Sequence, residues 1–264
     1  MTDWLAVCRA ATADVRGVLA GMPLRAAREA VLGTGLGGDD TTAIDKAAEN
    51  AILAHFADLD VSIVSEEVGR IGDGKTVVVV DPIDGSVNAK RGIPFFSVSI
   101  AVADGETMDD VAFGYVYDFG SSEEWMARRG EGAWLNGAPL GHERPKDRIE
   151  ILSFEATRTG LIARDAPKVV DLADRLRLMG SLALSLCHLA AGRVDGVCSL
   201  KGARSVDIAA GQLLVREVGL AIDLFDDPRP FGEAELDLEG RSRVAAAGTV
   251  ELCAQIGAAL RSSS

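Results

Sequence analysis

The sequence predicts an α/β protein, and three observations carry that expectation. Val77-Val78-Val79-Val80 is an unbroken apolar run, short β-rich segments crowd the first half, and helical and strand patterns alternate in the second. Four consecutive valines suit a strand covered on both faces. Alternating strands and helices suit a sheet packed by helices.

In order, residues 3–32 carry helical periodicity broken by Gly21 and Pro23, which predicts two consecutive helices. Gly33 to Asp40 reads as a flexible polar loop. Thr42 is placed to cap a helix over 43–56 with Ile44, Ala48, Ile52 and Phe56 on its apolar face. Strands are expected over 61–65, 76–80, 95–103 and 111–118, then a hairpin over 122–136 ending at the Asn136-Gly137 turn. The polar stretch 139–149, broken by Pro139 and Pro145, marks a seam. It divides the single domain expected over 1–264 into an antiparallel half (about 1–141) and an α/β half (about 149–264). The second half reads as strand 149–154, helices 166–176 and 180–191, strand 194–200, helix 205–217, strands 220–224 and 243–247, and helix 249–261.

Composition narrows the function. The chain is 48% hydrophobic and 25% charged, which supports a substantial core. Its 40 acidic residues outnumber 27 basic ones, and no Lys/Arg-rich run offers the basic face that nucleic acid requires. No apolar stretch is long enough to span a membrane. Four scattered cysteines form no CxxC motif, and no signal peptide is evident, so reduced thiols in the cytoplasm are expected.

Chemistry concentrates in Asp81-Pro82-Ile83-Asp84-Gly85-Ser86, where the chain leaves the valine strand. Two carboxylates three residues apart on a tight turn can converge on one point. Gly85 permits close backbone approach, and Ser86 offers an N–H and a hydroxyl. Hard divalent cations take such oxygen ligands, although Asp, Pro and Gly also favour ordinary turns. Two further acids fit the picture: Glu66 in Ser65-Glu66-Glu67 at a strand end, and Asp207 in the first turn of a helix lined by Ala209, Ala210 and Gly211. Either could instead be a solvated acid or a helix-dipole partner.

Together these motifs resemble the inositol monophosphatase family of metal-dependent sugar phosphatases. Thr42-Ala43-Ile44-Asp45-Lys46, Gly114-Tyr115-Val116-Tyr117-Asp118, Gly180-Ser181-Leu182-Ala183 and Ala191-Gly192-Arg193-Val194-Asp195 add to the likeness, which covers nearly the whole chain. The resemblance implies a layered α/β/α/β/α sandwich, a homodimer, and two or three Mg²⁺ ions, with Mn²⁺ as an alternative. Glu66, Asp81 and the Ile83 carbonyl would hold the first ion; Asp81, Asp84 and Asp207 would hold the second. A third, weaker ion would sit near Glu66 through waters. The phosphate would rest on Gly85 and Ser86, with Asp84, Leu182 and Ala183 also at the substrate. Asp45, hydrogen-bonded to Ser86, would act with Glu66 to orient and deprotonate the attacking water; helix capping is the other account of Asp45.

One departure matters. Animal inositol enzymes carry a glutamate seven residues before the last metal aspartate, and Leu200 stands there in this sequence. Lys201 and Arg204 lie beside it, a pattern similar to archaeal members acting on fructose 1,6-bisphosphate as well as inositol phosphates. The pair would read a second phosphate or belong to a solvated loop. Gly37-Gly38-Asp39-Asp40 would be a lid near the third metal. His188, in an apolar helix, reads as a packed residue. The expected activity is hydrolysis of small sugar or polyol phosphates. The alternatives are a dedicated inositol or other sugar monophosphatase, a 3'-phosphonucleotide phosphatase, and a non-catalytic binder of phosphorylated ligands.

Overall fold

The computed structural model describes residues 2–34, 40–142, 144–155 and 158–262. Helices α1 (Trp4–Gly21) and α2 (Arg25–Arg28) precede a small hairpin, β1 (Val31–Thr34) and β2 (Asp40–Thr42), and helix α3 (Ala43–Leu53). Strands β3 (Val61–Ser65), β4 (Gly69–Ile71) and β5 (Thr76–Asp84) lead into α4 (Ser86–Arg91). Next come β6 (Ser97–Ala103), β7 (Val111–Asp118), β8 (Glu124–Arg128), β9 (Gly132–Leu135) and β10 (Ala138–Pro139). The remainder holds β11 (Ile149–Glu155), α5 (Thr159–Asp165), β12 (Ala173–Arg177), α6 (Leu182–Ala190), β13 (Gly196–Ser199) and α7 (Ser205–Glu217). It ends with β14 (Ala221–Leu224), β15 (Val244–Ala247) and α8 (Val250–Arg261).

Two sheets organise these elements. The larger has strand order β10-β9-β8-β7-β6-β5-β3-β4, and the smaller β12-β11-β13-β15-β14. In the larger sheet β3 and β5 run parallel, while β5 through β10 pair antiparallel. The valine run occupies the interior of this sheet and is covered on both faces. Val78 and Val80 pack with Ile44, Ala48 and Ile52 of α3, and Val77 and Val79 pack with residues of α6 and α7. That second cluster also takes in Val197, Val244 and Ala246 of the smaller sheet, whose far face packs Ala245 and Ala247 on Leu252, Ile256 and Leu260 of α8. The result is the layered α/β/α/β/α sandwich.

Helix α7 lies between the sheets, which explains its small residues. A Cβ on Gly114 of β7 would come within 2.8 Å of the Ala210 carbonyl oxygen, and one on Gly211 within 2.9 Å of Leu186 Cδ1. Larger residues would force the layers apart.

Two expectations are corrected. Residues 166–176 do not form a helix: a 3₁₀ turn over 166–169 is followed by β12, which adds to the edge of the smaller sheet beside β11. Pro167 cannot continue an α-helical ladder, and the edge strand's mixed polar and apolar residues match one covered face. The helix of this region is α5, just upstream. The polar loop expected from Gly33 begins and ends in strand, with β1 pairing β2; residues 35–39 lie outside the described ones.

Candidate metal and phosphate site

The ends of β3 and β5 and the starts of α4 and α7 surround one cleft of about 550 Å³. It is lined by Asp45, Glu66, Asp81, Ile83, Asp84, Gly85, Ser86, Leu182, Lys201, Arg204 and Asp207, so the sequence motifs meet in space. Ala183 alone among the expected site residues does not line it; its side chain is buried.

The β5 exit is built by local chemistry. Pairing with β6 is interrupted between Asp81 and Asp84, and Asp81 Oδ1 accepts the Ile83 N–H at 3.1 Å. The strand can then turn both carboxylates toward the cleft. Gly85 follows at φ 92°, a left-handed conformation that disfavours a side chain. A Cβ there would also press within 3.0–3.1 Å of Gly180 O, Phe95 O and Phe96 Cβ. Glycine is required on both counts.

Asp84 joins the two halves of the chain. Its carboxylate accepts the Ser181 hydroxyl at 2.5 Å and the Ala183 N–H at 2.7 Å, an anion held at the start of α6. Leu182 and Ala183 therefore present backbone N–H groups to Asp84 here, where the resemblance set them on substrate. Asn88 of α4 adds a second stitch, donating to Phe95 O and Met179 O at 2.8 Å each.

The acids crowd each other. Burial, reinforced by Asp207 and Glu67, lifts the Glu66 carboxyl to about 7, against the opposing pull of Arg204. Burial likewise raises Asp84 to about 7 despite the Ser181 hydrogen bond, with Asp207 and Glu155 adding to the rise. Asp81 stands well above the usual carboxylate range, through burial and the nearness of Glu66, Asp84 and Asp207.

Glu66, Asp81 and Asp207 crowd one guanidinium, Arg204, and with Asp84 they form a hard-oxygen donor set of a kind that fits divalent cations. Among the described residues, no three His, Cys, Asp or Glu side chains close on a common point. Glu66 and Asp207 hold Arg204, and Asp84 holds α6.

Two expected placements differ. The Asp45–Ser86 hydrogen bond is absent: Ser86 Oγ donates to Ile83 O at 3.2 Å instead. Asp45 Oδ2 accepts from Thr42 and pairs with Lys90 Nζ at 3.2 Å, while Oδ1 is buried without a partner. Asp45 thus caps α3, and its side chain borders the cleft with one buried oxygen left unpartnered. Lys201 and Arg204 are not side by side at the mouth; Lys201 is exposed and Arg204 is buried among the acids, because Glu66 and Asp207 attract its charge. The lid proposed at 37–40 falls largely outside the described residues. His188 packs as expected, its ring 5.6 Å from Phe95 and 5.8 Å from Trp125.

Sequence reasoning missed two positioning residues. Glu49 accepts the Ser65 hydroxyl at 2.7 Å and the Glu67 and Val68 N–H groups at 3.2 and 3.1 Å, holding the turn that presents Glu66. Glu155 accepts the Gly180 N–H at 2.8 Å and the Ser185 hydroxyl at 2.8 Å, holding the entry to α6. For Glu49 the signal was its spacing, four residues after Asp45 and one after buried Ala48. Glu155 had no local signal.

The pattern of the inositol monophosphatase family matches residues 7–263, with these motifs inside the match. The chain belongs to the inositol monophosphatase family. This family member is 39% identical over 202 residues to "Fructose-1,6-bisphosphatase/inositol-1-monophosphatase" of Thermococcus kodakarensis, covering 75% of each chain. It is 40% identical over 192 residues to "Nus factor SuhB" of Pasteurella multocida, covering 69% of this chain and 70% of the other. A solved structure from Pyrococcus horikoshii, described as having similarities to inositol-1 monophosphatase, superposes with TM-score 0.81 at 31% identity over 98% of both chains. The family is one of metal-dependent phosphatases, which accords with the acid cleft of this member.

Proposed function

We propose that this chain hydrolyses phosphate monoesters of small sugars and polyols, fructose 1,6-bisphosphate and inositol 1-phosphate above all. The observation that carries the reading is the convergence of Glu66, Asp81, Asp84 and Asp207 on one cleft, beside Gly85 and Ser86. The likeness to a relative named for both activities supports the two substrates. Glu66, Asp81, the Ile83 carbonyl, Asp84 and Asp207 would hold two or three Mg²⁺ ions, or Mn²⁺. Bound there, the ions supply positive charge for a phosphoryl group that is slow to react unaided.

The chain's own groups do the rest. The backbone N–H groups of Gly85 and Ser86 orient the phosphate, with Asp84 and Leu182 bordering it; Ala183, whose N–H is taken by Asp84, drops out of the substrate set. The free Asp45 Oδ1 accepts a proton from the attacking water, and Glu66 helps to align that water. Lys90, 3.2 Å from Asp45, keeps the other oxygen engaged. Lys201, exposed at the cleft, meets a second phosphate, and Arg204 provides a deeper cation for the same substrate. Residues 1–264 act as one unit, supported by a core cluster that draws on both sheets. A homodimer in the cytoplasm completes the reading. The family likeness supports the dimer, and four free cysteines agree with a reducing compartment. No helix among the described residues is long and apolar enough to cross a membrane.

The test is phosphate release with Mg²⁺ from fructose 1,6-bisphosphate, inositol 1-phosphate and 3'-phosphoadenosine 5'-phosphate. Release from the first two supports the reading; a preference for the nucleotide overturns the substrate assignment. A second reading, binding without turnover, rests on the likeness to a relative named as a Nus factor. It predicts no release from any of the three.

A further inference from the structure

Arg204 is paired unlike two of the arginine clamps of this protein, Arg70 and Arg193. Arg70 meets Glu106 with two parallel bonds of 2.7 and 2.6 Å, and Arg193 meets Glu123 with two of 2.6 Å. These forks satisfy both terminal nitrogens, the geometry expected of a permanent clamp. Arg204 instead places one nitrogen, Nη2, between two carboxylates from different parts of the chain. It lies 2.5 Å from Glu66 Oε1, beyond the end of β3, and 3.2 Å from Asp207 Oδ1, in the first turn of α7. Its other terminal nitrogen, Nη1, is buried with no hydrogen-bond partner. A buried guanidinium with an orphaned donor is a half-satisfied arrangement, costly to keep.

We propose that Arg204 is an internal counter-cation, standing between Glu66 and Asp207 while the cleft holds no metal and giving them up when a divalent ion binds. The inference rests on the metal reading of the cleft. Two carboxylate oxygens engaged by one guanidinium nitrogen are not free to close on an ion, so the guanidinium and the ion exclude one another at these acids. Arg204 lowers the repulsion within the metal-free cluster and thereby opposes metal uptake. It also ties the β3 turn to α7, so the exchange links metal binding to the contact between these two elements.

The experiment is Mn²⁺ titration by calorimetry, with thermal unfolding of the metal-stripped and Mn²⁺-loaded full chain, for wild type, Arg204→Gln and Arg204→Lys. Arg204→Gln is expected to tighten the Mn²⁺ Kd about tenfold and to lower the melting temperature of the stripped protein more than that of the loaded one. Arg204→Lys keeps the charge but lacks the reach to bridge both acids, and is expected to tighten Kd by a smaller factor. An unchanged or weaker Kd in Arg204→Gln overturns the inference. So does a wild-type Kd in Arg204→Lys beside a tighter one in Arg204→Gln, which is the signature of net charge alone. Equal losses of melting temperature with and without Mn²⁺ reduce Arg204 to a clamp and also overturn it. If neither wild type nor Arg204→Gln takes up Mn²⁺, the metal reading itself falls and the inference with it.

Discussion

Glu49 and Asp81 are both shut away from solvent, 0% and 2% exposed, and the chain treats them in opposite ways. Glu49 receives a hydroxyl, two backbone N–H groups and the Lys46 ammonium at 3.0 Å. Asp81 receives the Ile83 N–H and faces three other acids. One carboxylate is buried to hold structure, with its lone pairs used by the protein. The other is buried without enough donors, a costly state unless positive charge comes from elsewhere. The contrast separates acids whose lone pairs the protein uses from acids left short of donors, and burial alone would not.

The sharpest way to break that distinction is to neutralise one acid of each kind. Asp81→Asn, Asp84→Asn or Asp207→Asn is expected to lower kcat/KM by about 10³-fold or more, since a few kcal/mol of transition-state charge stabilisation is lost. Asp81→Asn should also raise the melting temperature of the metal-stripped protein by relieving repulsion. Near-wild-type turnover in these variants, checked by phosphate release, would erase the contrast. Glu49→Gln should act in the other direction on stability, costing about 2 kcal/mol in chemical denaturation because it weakens charge-assisted bonds to the 65–68 turn. Its activity should fall about 10- to 100-fold through misplacement of Glu66.

A pH series sharpens the comparison further. Glu66 and Asp84 rise in the folded state from ordinary values of 4.5 and 3.8 to about 7. Between those limits the folded protein binds more protons than the unfolded chain, so stability must fall as pH rises. The metal-stripped protein is therefore expected to melt at a higher temperature at pH 5 than at pH 7.5. Saturating Mg²⁺ should reduce or reverse that slope; a stripped protein that gains stability over this range would contradict the assignment. The smallest effect is expected at the rim, where Lys201→Ala should raise KM for fructose 1,6-bisphosphate about fivefold at most, and that for inositol 1-phosphate less.

Much of the site was legible because its chemistry is local. Asp81, Asp84, Gly85 and Ser86 lie within six residues, and the turn geometry follows from Pro82 and Gly85. Glu66 and Asp207 were visible as acids at the ends of predictable elements. Glu155 was not, because its partners on 179–185 reach it only after α6 docks on β11. Arg204 was visible as a cation but not in its placement, which depends on Glu66 arriving from a distant strand. The fold shows the same divide. The valine strand and the apolar α6 and α7 announced themselves, whereas β12 is an edge strand whose conformation is set by pairing with β11 rather than by its own pattern.

The measurement that tests the central claim most directly is phosphate release from inositol 1-phosphate by chelator-stripped protein, before and after Mg²⁺ is restored, in wild type and Asp84→Asn. The account predicts no release without the ion, recovery with it in wild type, and little recovery in the variant. Release that ignores the chelator, or full recovery in Asp84→Asn, would contradict a cleft of carboxylates built to be completed by a metal.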